Sequence, residues 1–242
     1  MLCWLVKYRD GIMEKLKKLQ CLDASTLKIF AMVFMLIDHI GYIFFPYTEW
    51  IRILGRVSFP IFAYFVAEGY VHTRNPLKYM GRMAIFAVIT EPVFDMAFFG
   101  RITIRHQSVL VTFLAALLGL YLRDKIESIK CDARFDMLKK LGGYAAIVGT
   151  AILAEILDTD YGCFGVMLVY VYQVLHNNFA EKHLLAGILQ IFGTTGIQRY
   201  SIVSTIPLML YNGKRGIGLK YLFYTFYPAH LLILYLIAGY VK

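Results

Sequence analysis

Residues 28–42 read KIFAMVFMLIDHIGY, and this stretch decides the class of fold. A lone Lys28 opens it, an unbroken apolar run follows to Ile37, and Asp38 and His39 then stand side by side before the apolar run resumes. With its flanks the segment extends over 27–45, close to the roughly 20 residues that a membrane-spanning helix requires. An ionisable residue inside such a helix costs about 2.5–3.5 kcal/mol on insertion scales. Two adjacent ones are therefore a signal of function within a membrane helix.

The rest of the chain agrees with that class. Of 242 residues, 59% are apolar and 17% charged, with a mean hydropathy of +0.61. Soluble domains carry about 25% charged residues, so an ordinary aqueous globule is excluded, and so is a disordered chain. Cys3, Cys21, Cys131 and Cys163 are widely separated with no CxxC pair, which argues against a disulfide framework or a metal centre. GxxxxGK[ST], GxGxxG, GxSxG and HExxH are all missing.

Residues 1–26 carry Lys7, Arg9, Lys15, Lys17 and Lys18, with Ile12, Met13, Leu16 and Leu19 on one helical face, the pattern of a basic interfacial helix. A single membrane domain over 27–242 is expected to follow. Its apolar stretches are 27–45, 57–72, 79–99, 108–122, 142–157, 161–175, 183–195, 200–211 and 219–241, of which 183–195 and 200–211 are short enough to be half-helices or a re-entrant hairpin. Alternating from an inside N-terminus places 19 of the 25 Lys and Arg on the inner side, as the positive-inside rule requires. The expectation is an all-α bundle of about nine spans, N-terminus in and C-terminus out. The formal charge of +9 then faces anionic lipid and implies no nucleic acid.

The ionisable residues inside or beside the spans are Asp38, His39, Glu68, His72, Glu91, Asp95, Glu155 and His230. A His near the middle of a helix is suited to act as a general base, with a neighbouring carboxylate to orient it. Tyr64, Glu68 and His72 recur at four-residue steps and share a face, where Glu68 is equally suited to pair with Arg56 or Arg82. Glu91 and Asp95 are also four apart, beside Pro92, and so call for a basic partner or a shared proton. Tyr221, Tyr224, Tyr227 and His230 follow at three-residue steps; an interfacial belt accounts for the tyrosines as well as a site does.

The stretch 28–42 resembles the opening of the TraX family, membrane proteins linked to N-terminal acetylation of conjugative pilin. The resemblance continues through GRVSFPIF at 55–62, AEGYVHTRN at 67–75, DYG at 160–162 with Gly165 and Val166, KYLFY at 220–224 and FYPAHL at 226–231. The family is similar in turn to larger transmembrane acyltransferases, which carry a basic residue and, after ten others, a His in their first helix; Lys28 and His39 stand at that spacing here. The resemblance implies an enzyme that moves an acetyl group from cytoplasmic acetyl-CoA to an amine or hydroxyl of a protein N-terminus, glycan or lipid, in the bacterial cytoplasmic membrane and without a metal.

On that reading His39 is the general base and Asp38 its support. Lys28, Arg56, Glu68, His72, Arg74, Arg82, Glu91, Asp95, Tyr227 and His230 form the surrounding substrate and donor site, with Lys28, Arg74 and Arg82 as a cytoplasmic mouth for the phosphates of CoA. Two other classes fit the same residues: a proton-coupled transporter, because intramembrane Asp, Glu and His also build proton relays, and a non-catalytic membrane assembly component.

Overall fold

The computed structural model describes residues 18–130, 132–218 and 220–241. Most of the basic 1–26 segment lies outside the described residues. Helix α1, Ala24–Phe44, starts where Asp23 accepts from the Thr26 amide at 2.8 Å, satisfying one of the amides that a helix start leaves open. A tight turn leads to the short α2, Glu49–Gly55, and then to α3, Ser58–His72. Helix α4, Pro76–Phe99, has Asn75 as its cap and Pro76 in its first turn, passes through Pro92 without ending, and stops at Gly100, whose φ of 67° is left-handed. Helices α5, Val109–Glu127, α6, Asp136–Ile156, α7, Gly162–Val174, and α8, Phe179–Phe192, follow.

The stretch expected to be one apolar segment at 200–211 is not a single helix. It is a 3₁₀ helix, Gly196–Ser204, running into the five-residue α9, Thr205–Met209. The last helix is α10, Lys220–Val241.

Among the described residues, four stretches are long and apolar enough to cross a membrane: Ala24–Phe44, Glu49–His72, Asp136–Ile156 and Tyr221–Tyr240. Between them, α4 carries Lys78, Arg82, Glu91 and Asp95, and α5 ends in Arg123, Asp124, Lys125 and Glu127. The α8 helix has 14 residues and reaches about 21 Å, short of a bilayer core of about 30 Å.

Helix α3 lies at the centre, with Phe59, Ile61, Ala63 and Ala67 almost fully buried against Leu27, Leu117 and Leu168. Apolar side chains also cover the outside, among them Val88 on α4, Ile156 on α6, Leu184 on α8 and Ile233 on α10. Such a surface suits a hydrocarbon solvent.

Helices α1 and α10 run parallel. At one end the amides of Leu22 and Ala24 donate to Leu210 O and Lys214 O at 3.0 and 2.9 Å, and Ser25 Oγ donates to Ile217 O at 2.5 Å. Further along, His39 meets His230. The end where α1 begins is called basal below, and the opposite end apical.

Candidate functional site

A cavity of about 270 Å³ opens at the apical end, lined by Asp38, His39, Arg52, Arg56, His106, Asp160, Tyr161 and Tyr227 with a wall of phenylalanines that includes Phe94 and Phe98. The geometry starts from glycine. A Cβ on Gly55 would lie 2.2 Å from Asp38 Cβ, so only glycine lets α2 press against α1 there. That contact brings Arg52 and Arg56 onto Asp38. Arg56 Nη2 bonds Asp38 Oδ2, Arg52 Nε lies 3.6 Å from Oδ1, and Arg56 Nη1 donates to Gln198 Oε1 at 3.3 Å. Two guanidinium groups thus face one carboxylate on this wall of the cavity.

Asp38 and His39 diverge, as neighbours on a helix must. The expectation that Asp38 supports His39 directly is corrected: its carboxylate is taken by the two arginines. The partner of His39 is His230, with Nδ1 of His39 2.7 Å from Nε2 of His230 and the ring planes 3° apart. His230 Nδ1 lies 2.6 Å from Phe226 O. A carbonyl only accepts, so His230 Nδ1 carries hydrogen. In the neutral pair His230 Nε2 then accepts from His39 Nδ1–H, and the lone pair of His39 falls on Nε2, which has no hydrogen-bond partner among the described residues. The network, rather than observed hydrogens, fixes both tautomers.

Glu91 and Asp95 stand at the same end but serve the loop over 100–108. Glu91 Oε1 accepts from Ser108 N at 3.0 Å and Ser108 Oγ at 2.6 Å, and Asp95 Oδ2 accepts from Thr103 N at 2.8 Å. Backbone and hydroxyl donors take the place of the expected basic partner. The loop delivers His106, whose Nδ1 and Nε2 lie 3.5 and 3.7 Å from Asp158 and Asp160. Asp160 first, against partial burial, and Asp158 with it hold the His106 imidazolium above the usual histidine range. Gln107 pairs with the same segment: its amide donates to Asp158 O at 3.0 Å, and Asp160 N donates to Gln107 O at 2.8 Å. A second recess, of about 660 Å³, shares Arg56, His106, Asp160 and Tyr161 with the first and extends outward past Glu155, Cys163 and Gln198.

The remaining candidates are not among the lining residues. Glu68 pairs with His72 at 3.3 Å on the last turn of α3. Arg74 is exposed beyond it. Arg82 lies over the Tyr79 ring, and Lys28 over Phe65 and Phe223 at the basal end. The structure therefore unites His39, Asp38, Arg56, Tyr227 and His230, and separates them from Lys28, Glu68, His72, Arg74 and Arg82. The sequence reading gave Arg52 and His106 no role. Arg52 had a signal, its spacing of four from Arg56; His106 had none, because only the fold brings its loop to the cavity.

Fold and cavity together define a membrane-type helical bundle whose apical chamber is lined by arginine, aspartate and phenylalanine and by His39, one member of a buried histidine pair. The chain belongs to the TraX family: the model of that family, described as TraX protein, matches residues 23–238. A similar protein is the probable fimbrial assembly protein FimC, serogroup H1, of Dichelobacter nodosus, 27% identical over 249 residues that cover 88% of this chain and 94% of that one. No solved structure matches the chain.

Proposed function

We propose that the protein is an integral-membrane acyltransferase of the bacterial cytoplasmic membrane, moving an acetyl group from acetyl-CoA to an amine or hydroxyl acceptor. The observation that carries this reading is the ordered pair His39–His230, which leaves His39 Nε2 as a proton acceptor in a chamber flanked by arginine. In the proposed step His39 Nε2 takes the proton of the acceptor N–H or O–H as that atom attacks the thioester carbonyl. A C–N or C–O bond forms, the oxyanion is stabilised by Arg52 and Arg56, and the C–S bond breaks. The CoA thiolate then recovers the proton from His39. Lys28, eleven residues before His39 on one continuous helix and so about 16 Å away, is suited to hold a donor phosphate while the thioester reaches the histidines.

In the same proposal the chain crosses the membrane nine times, N-terminus in and C-terminus out. The parallel course of α1 and α10 supports an odd number of passes, and the basic residues support the orientation. Acetyl transfer from radiolabelled acetyl-CoA to a panel of amines and alcohols, by purified protein in detergent, tests the activity. Label transfer above a His39→Gln control is expected, and none with any acceptor overturns the reading. The name of the Dichelobacter relative favours a second reading, a membrane assembly component; there His39→Gln would leave assembly intact.

A further inference from the structure

A second recess approaches His39 from the side. A crevice of about 410 Å³ lies between the apical ends of α1, α4 and α10, with Ile43, Met96, Ala97, Ala238 and Gly239 in its lining. Among the described residues that line it, none is charged and the only side-chain hydroxyls are those of Tyr42 and Tyr235. Tyr42, Phe98 and Phe99 also line the polar chamber. The Phe98 ring stands edge-on to His39 at 5.3 Å and to Tyr42 at 4.9 Å, and Arg52 lies 4.7 Å over the Tyr42 ring. A single residue, Phe98, thus touches the proposed base and lines the crevice.

The crevice is open on the outside of the bundle. Tyr42 and Phe99 are exposed, and a Cβ on Gly239 would meet no atom within 4 Å. The apical rim is apolar as well: Phe45, Tyr47 and Trp50 around the start of α2, and Ile102 and Ile104 in the 100–108 loop, are all exposed. Aromatic side chains in such a position settle at the headgroup level of a bilayer, which sets the mouth of the chamber at the membrane interface.

We propose that the crevice holds the hydrocarbon chain of a membrane amphiphile whose amine or hydroxyl, placed in the chamber, accepts the acyl group. This rests on the function proposed above and narrows its acceptor to one borne on a lipid. A polar chamber joined to an apolar crevice through three shared residues matches a ligand with a head and a tail. An extended peptide would bring backbone amides that this lining cannot satisfy. One turn of helix, about 10 Å across and 5.4 Å long, takes up about 420 Å³, all of the crevice. The acyl group of an acetyl donor is too short to leave the chamber, so the chain belongs to the acceptor.

The full chain in detergent tests this with tetradecylamine and butylamine as acceptors, and with tetradecylamine carrying a diazirine near its tail as a photolabel. Label is expected in the peptides that contain Met96 with Ala97 and Ala238 with Gly239, displaced by excess tetradecylamine and not by butylamine. Gly239→Leu should lower both this labelling and transfer to tetradecylamine by about tenfold or more, because a displaced chain takes the reacting atom out of attack geometry. Transfer to butylamine should stay unchanged. Where Gly239→Leu lowers the folded yield, Ala97→Leu decides. Label that excess tetradecylamine does not displace reports annular lipid only and overturns the proposal. Displacement by an apolar transmembrane peptide but not by tetradecylamine overturns it in favour of a protein segment. Loss of transfer from octanoyl-CoA to butylamine in Gly239→Leu, with transfer to tetradecylamine intact, overturns it in favour of the donor chain. Saturable labelling without transfer to any acceptor keeps the chain site and removes the enzyme. Transfer that ignores chain length, without saturable labelling, does the reverse.

Discussion

His39 and His230 stand 191 positions apart in the chain and share one hydrogen bond of 2.7 Å between nearly coplanar rings. His230 holds the place that a carboxylate takes in many general-base pairs, and its own second nitrogen is fixed by Phe226 O. A neutral partner fixes the tautomer of His39 without adding a buried negative charge.

Loss of the base is the sharpest consequence. His39→Ala and His39→Gln should lower acetyl transfer by about 10²–10⁴-fold, while the folded fraction in size-exclusion elution and donor binding persist. Near-normal specific activity in His39→Gln would remove His39 from the chemistry.

His230 should behave as a positioning residue. His230→Gln, which can still accept from His39 Nδ1, should retain more kcat than His230→Ala, with the donor KM unchanged in both. Equal loss in the two variants, following the amount of folded protein, would reduce His230 to packing.

Asp38 is the common partner of Arg52 and Arg56 and is buried. Removing one member of a buried ion pair costs about 3–5 kcal/mol, so Asp38→Asn should lower the melting temperature in detergent. A double-mutant cycle with Arg56→Gln should show coupling above 1 kcal/mol, roughly the lower range for residues in one network. Additive effects would contradict the pairing.

His106 ties the 100–108 loop to Asp158 and Asp160. Its imidazolium is favoured by folding, so the stability it contributes is complete below the unfolded histidine value of about 6.5 and disappears as pH rises through the higher folded value. The melting temperature should therefore fall as pH rises from that value, and His106→Gln should flatten the change. A profile identical in the variant would remove the loop latch.

Topology is tested with reporters. A tag after Lys242 should report the outer side and one beside Arg134 the inner side; the same side for both would refute nine passes.

Much of the bundle was readable because apolar runs separated by polar breaks are dictated by the solvent. Ala24–Phe44, Ser58–His72 and Lys220–Val241 lie within a few residues of the runs in the sequence. The 200–211 run misled because apolar composition does not specify hydrogen-bond pattern, and a 3₁₀ helix and a short α-helix satisfy the same side chains. At the site, buried charge pointed to Asp38, His39 and His230, but the sequence carried no information on which would meet. Asp38 turned to arginine because Gly55 admits α2, a contact visible only in three dimensions. Glu91 and Asp95 went to loop amides, since an intervening turn offered donors closer than any cation.

The joining of α1 to α10 also sets when the site exists. Ribosomes add about 5–20 residues per second, so about 10–40 s separate the synthesis of His39 from that of His230, 191 positions later. Throughout that interval α1 waits in the lipid with Asp38 and His39 while the segment that receives Ser25 and the histidine that orders His39 are still unmade. A chain that stops before α10 has every other helix and no ordered pair. The last helix thus acts as a completion mark: a prematurely ended chain leaves His39 without the partner that orders it.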